Sequence, residues 1–205
     1  MRGMQMNCWV RRAAAAAALL VALTGAASAH TGVGDTSGFA HGLMHPIGGL
    51  DHVLAMMAVG LFAAHLGGRA LWAVPATFVA VMGAGGALGV AGIALPYVEI
   101  GIGLSVVVLG LAVALRLSIP TLAAMALVGL FAIFHGHAHG AEMPQDLSGY
   151  EYAAGFMLAT ALLHCAGIAC GVLIGRLGEL GGRRVTQLTG GATALAGLAI
   201  LMGIV

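Results

Sequence analysis

The chain has 205 residues, of which 60% are hydrophobic and 7% charged, and its mean hydropathy is +1.04. A soluble domain carries about 25% charged residues, so a water-facing surface cannot be assembled from this composition. The net charge of +1 points to no nucleic-acid partner, and the expected surroundings are a lipid bilayer.

The amino-terminal segment, residues 1–29, reads as a secretory signal. Arg11-Arg12 close a basic region, Ala13 to Ala27 form a short apolar core, and Ala27-Ser28-Ala29 offers an A-x-A cleavage site. Cleavage there would make His30 the first residue of the mature chain, with an α-amine beside its imidazole as a chelating pair. An uncleaved signal anchor is the alternative and leaves the remaining topology unchanged.

Six apolar segments follow, at about 46–66, 71–93, 98–115, 119–138, 150–175 and 186–205. Each is near the roughly 20 residues that a bilayer-spanning helix needs. Gly67-Gly68-Arg69, Pro96, Ser118-Ile119-Pro120, Met143-Pro144 and Gly181-Gly182 punctuate them. The expected fold is all-α: a polytopic bundle of six transmembrane helices (30–205) after a cleaved signal peptide. Abundant glycine, 34 residues, suits close helix contacts. Arg69, Arg116, Arg176, Arg183 and Arg184 all fall in alternate loops, and the opposite face has no arginine after residue 29. The positive-inside rule therefore places the arginine loops in the cytoplasm and both mature termini outside, in a bacterial inner membrane.

Nine histidines against eight arginines and no lysine is the unusual balance. Imidazole is costly in hydrocarbon and is a common metal ligand. The first segment opens on His45-Pro46-Ile47-Gly48-Gly49-Leu50-Asp51-His52. Pro46 suits a first helical position, which would set Asp51 about a turn and a half into the membrane. On one regular helix His45 and His52 share a face but lie about 10.5 Å apart along the axis, so three ligands from it would be strained. Either the Pro/Gly turn is irregular or some groups orient the others; a hydrogen-bonded structural pair without metal is the plainer alternative.

The second cluster is Phe134-His135-Gly136-His137-Ala138-His139-Gly140-Ala141-Glu142. As a helix it puts His135, His139 and Glu142 on one face and His137 opposite; as an extended segment all three histidines point one way. A solvated histidine-rich loop is the bland alternative. His164 is a lone histidine within the fifth segment, either a path residue or a satisfied packing residue. His41 and His65 read as interface residues, and Cys165 and Cys170 as packing residues.

At these motifs the chain resembles the HupE/UreJ family of hydrogenase- and urease-accessory membrane proteins, regarded as nickel and in some cases cobalt permeases. The resemblance rests on His45-Pro46-x-x-Gly49-x-Asp51-His52 with Met56 and Val59-Gly60, and on Gly68-Arg69-Ala70-Leu71-Trp72. Leu95-Pro96-x-x-Glu99, the 134–142 motif and Gly155-Phe156-x-x-Ala159-Thr160-x-x-Leu163-His164 complete it. It implies metal handling by His45, Asp51 and His52, and by His135, His137, His139 and Glu142. The His-x5-Asp-His spacing is one residue longer than in the larger nickel/cobalt transporter family, so that family's site geometry does not transfer.

The expected activity is a permease, secondary transporter or facilitator rather than an enzyme. Ni²⁺ or Co²⁺ would be its transported ion, with no prosthetic group. The resemblance adds metalloenzyme accessory proteins as partners and is compatible with a homo-oligomer. Direct ATP hydrolysis is excluded for this chain, since there is no Walker-type lysine and no lysine at all. Two rivals use the same residue types: an intramembrane metal hydrolase with Glu142 or Glu99 as base, and a membrane metal-binding partner that does not transport.

Overall fold

In the computed structural model, described for residues 38–144 and 148–205, seven helices follow in chain order. They are α1 (Gly38–Gly48), α2 (Leu50–Leu66), α3 (Ala70–Val90), α4 (Val98–Ala114), α5 (Thr121–Ala141), α6 (Gly149–Gly175) and α7 (Gly178–Leu201). No strand occurs among the described residues. His30 and the signal segment lie outside the described residues.

Glycine decides where the first apolar stretch breaks. Gly49 is extended, at φ −96° and ψ 122°, and α1 and α2 meet there at 82°. The expectation of one helix starting at Pro46 is therefore corrected. Pro46 lies in the last turn of α1, where it supplies no N–H to the helix, and the two glycines behind it finish the break. His45 and the Asp51-His52 pair stand on two helices, and the strained single-helix arrangement does not arise.

Three helices, α3, α5 and α6, are long and apolar enough to cross a bilayer, and the bent α1–α2 pair makes a fourth if it counts as one span. α4 has 17 residues, about 26 Å of helix, slightly short of the ~30 Å hydrocarbon core. α7 begins eight residues before the apolar segment read from the sequence and takes Glu179, Arg183 and Arg184 into its first turns. The longest helix, α6, opens on a capping arrangement in which the Ser148 hydroxyl accepts from the Glu151 backbone N–H at 3.5 Å.

The packing puts α3 against α5, α4 against α7, and α6 against α1 and α2. Between α3 and α5 the backbones themselves meet. A Cβ at Gly136 would strike the Met82 carbonyl, one at Gly140 the Gly86 carbonyl, and one at Gly89 the His137 carbonyl. That contact brings the histidine-bearing end of α5 into the interior. Met56, Phe62, Val74, Phe78, Met82 and Leu109 fill the core beside it.

Candidate metal path

Three helix ends supply the polar groups: the last turn of α1, the first turn of α2 and the last two turns of α5. At the rim, His45 Nε2 donates to Glu142 Oε2 at 3.0 Å. That hydrogen bond holds the Glu142 carboxyl below the ordinary glutamate value, with partial burial working against it. His41 stacks on His45, ring centres 6.4 Å apart, and Tyr152 closes against both at 5.9 and 6.0 Å.

From the rim a continuous file of rings runs inward. His45 meets His139 at 5.0 Å, His139 meets His52 at 4.6 Å, and His52 meets His135 at 4.8 Å. His135 and His139 are 0% and 1% exposed, so the histidine motif of α5 is interior rather than a solvated loop. The helical reading of that motif holds: His135 and His139 share the inner face, and Glu142 ends it at the C-cap. His137 points away and donates Nε2–H to the Ile93 carbonyl at 2.7 Å. It does not join the file.

Hydrogen bonds fix which ring nitrogens stay free. Asp51 Oδ1 accepts from the His52 backbone N–H at 2.7 Å and from His52 Nδ1–H at 2.9 Å. A carboxylate only accepts, so the proton sits on Nδ1 and the lone pair on Nε2. His52 Nε2 is buried with no hydrogen-bond partner among the protein's groups. The same logic applies deeper. The Ser105 hydroxyl of α4 donates its one proton to the Ile102 carbonyl at 2.6 Å, and it stands 2.8 Å from His135 Nε2. His135 must therefore donate to Ser105, which leaves the lone pair on Nδ1, again buried and unpartnered. Both nitrogens of His139 are likewise without partners. A histidine that donates one N–H to a fixed acceptor and keeps its other nitrogen without a partner is arranged as a metal ligand with a supporting group would be.

Among the described residues, no three His, Cys, Asp or Glu side chains converge as they stand on a point where they could hold an ion. The rings contact one another edge and face. An ion held by this file would need movements that aim two or three of these lone pairs together.

Ser105, Tyr152 and Phe78 escape a reading of the sequence. Ser105 is the one hydroxyl in the apolar run of α4, a signal that marks an oddity but names no partner. Phe78 touches His135 at 5.6 Å and His164 at 5.2 Å, and it looks like any core phenylalanine in sequence. His164 is buried on α6 behind it, while Glu99 is exposed in the first turn of α4. At the opposite end of α2, His65 Nε2 donates to the carbonyl of Arg116, a residue at φ 52°. That contact ties the end of α2 to the loop after α4 and lies outside the file.

A family model described as HupE / UreJ protein matches residues 17–200. The chain belongs to the HupE/UreJ family. It is similar to Protein HupE of Rhizobium leguminosarum bv. viciae, with 50% identity over 183 residues that cover 89% of this chain and 94% of that protein. No solved structure matches. Family membership and the apolar helices together make this a membrane protein. The HupE/UreJ match takes in every member of the ring file.

Proposed function

We propose that the chain is a permease for a divalent transition metal, with Ni²⁺ or Co²⁺ as the transported ion, and that it supplies maturation of hydrogenase- or urease-type metalloenzymes. The observation that carries this reading is the ring file from Glu142 and His45 to His135, in which Asp51 and Ser105 leave ring lone pairs free in a buried interior. A structural histidine network would use those nitrogens up; here they are held ready. Nitrogen and oxygen donors without thiolate suit Ni²⁺ and Co²⁺, and the family relationship selects these over Zn²⁺ and Cu²⁺.

The ion is captured at the rim by Glu142 and His45, passes to His139 and His52, and then to His135. Because no trio is pre-aimed, each stage holds the ion with few ligands and lets it go, as conduction requires. The topology that fits this reading has six crossings, with the arginine loops cytoplasmic and the ring file opening to the periplasm. The chain then works without nucleotide, as a facilitator or secondary transporter.

The test is uptake of labelled nickel into sealed liposomes, with cobalt and zinc as competitors, for wild type and Asp51→Asn. Saturable uptake that cobalt competes with and that Asp51→Asn abolishes is the expected result. No uptake above empty vesicles, from folded protein that binds nickel, would refute transport and return the chain to the binding-partner or hydrolase class. Uptake that survives Asp51→Asn would keep the permease but move its path elsewhere.

A further inference from the structure

The polar path continues beyond His135. Phe78 is fully buried, with its ring against both His135 and His164. His164 is 1% exposed, and neither of its ring nitrogens has a hydrogen-bond partner among the protein's groups. One turn along the same face of α6, the Thr160 hydroxyl donates to Met82 Sδ at 3.6 Å. Phe78 and Met82 are likewise one turn apart on α3. The two helices therefore meet in two adjacent rungs, Phe78 with His164 and Met82 with Thr160, which set the imidazole one helical turn from the thioether and hydroxyl inside an apolar core.

A buried polar ring with no partner lowers stability, and packing gives no reason to keep one, since leucine fills a similar space without that penalty. We propose that His164 is an inner metal station, the next ligand after His135 past the Phe78 ring, with the Met82 thioether and the Thr160 hydroxyl as its neighbouring donors. As a step in transport it rests on the permease reading above; as an ion-binding site it stands without it. A thioether beside an imidazole offers a softer set than the carboxylate-supported rings at the rim.

The experiment uses the full chain with His164→Leu and His164→Met, read by three measurements: thermal midpoint, Ni²⁺ bound per folded chain at saturation, and nickel uptake into vesicles. For His164→Leu we expect a midpoint at or above wild type, the loss of one bound ion with the rim ion retained, and uptake reduced at least tenfold. His164→Met keeps a donor atom and the volume, and should recover part of the uptake. An unchanged ion count in folded His164→Leu, with uptake within twofold of wild type, overturns the station. A lowered midpoint with both of those readouts intact assigns His164 to packing and overturns it equally. Should wild type transport nothing, the permease reading falls, and the ion count of wild type against His164→Leu still decides the station.

Discussion

Ser105→Ala removes a group that touches no ion in the proposed path and acts only through His135. The hydroxyl accepts His135 Nε2–H at 2.8 Å because its own proton is committed to the Ile102 carbonyl at 2.6 Å. Without it, a fully buried N–H loses its acceptor, which costs about 1–3 kcal/mol of folding stability. The ring also loses what holds its proton on Nε2, so Nδ1 is no longer kept free for an ion. Loss of such a supporting partner typically weakens metal affinity 10–100-fold, which is about 1.4–2.8 kcal/mol at 1.4 kcal/mol per decade. Calorimetric titration of Ni²⁺ into the detergent-solubilised chain reads the affinity, and initial rates in vesicles read the flux. Ser105→Thr, which keeps the hydroxyl, should stay closer to wild type than Ser105→Ala on both. A folded Ser105→Ala variant with affinity and flux within twofold of wild type would refute the reasoning, because His135 would then not depend on its tautomer.

Gly49→Ala places a methyl 2.7 Å from Asp51 Oδ1 and 3.0 Å from His52 Nδ1, so that pair must shift while the helices stay. We expect nickel affinity to fall about tenfold, the low end for a displaced supporting group, with little change in thermal midpoint. His45→Gln withdraws the imidazole that depresses Glu142; carboxyl ¹³C titration in detergent should then show the Glu142 pKa rising toward the ordinary value of about 4.3. The sign follows from the direction of the shift: a depressed carboxylate favours the folded state above the ordinary value and loses that contribution as pH falls through its lowered one, so the variant's loss of stability is full above the ordinary value and disappears below the lowered one. Gly136→Val drives a side chain onto the Met82 carbonyl at a backbone-to-backbone contact. Its cost should reach or exceed the ~1–3 kcal/mol usual for overpacking, seen as lost folded yield, whereas Gly48→Ala, with open space around it, should fold normally.

The α5 half of the path was legible because a helix maps spacing onto faces: the separations between His135, His139 and Glu142 needed only the decision that the segment is helical. The α1–α2 half was legible in composition and not in geometry. A proline followed by two glycines announces irregular backbone, yet the 82° turn that folds His45 back over His139 depends on α6 packing against both helices, a contact far away in sequence. Ser105 marks the limit most clearly. Its partner lies thirty residues away on another helix, and nothing in the run around it favours His135 over any other acceptor or donor. α7 outruns its apolar segment for a different reason: hydropathy stops where Arg183 and Arg184 begin, but backbone hydrogen bonding does not.

The glycine contact between α3 and α5 has a bearing on ion choice. With carbonyls of one helix seated against the α-carbons of the other, the wall that carries His135 and His139 has almost no room to slide. The wall that carries His45 and His52 is jointed at Gly49, and Gly48 beside it touches nothing within 4 Å. Glycines hold α1 and α2 against α6 in the same way, since a Cβ at Gly42 would strike the Tyr152 carbonyl and one at Gly60 the His164 carbonyl, so in the proposed permease the play for closing on an ion lies in the Gly48–Gly49 joint between two held helices. Such a joint would select a cation by the angle at which its ligands must close as much as by how tightly they bind it.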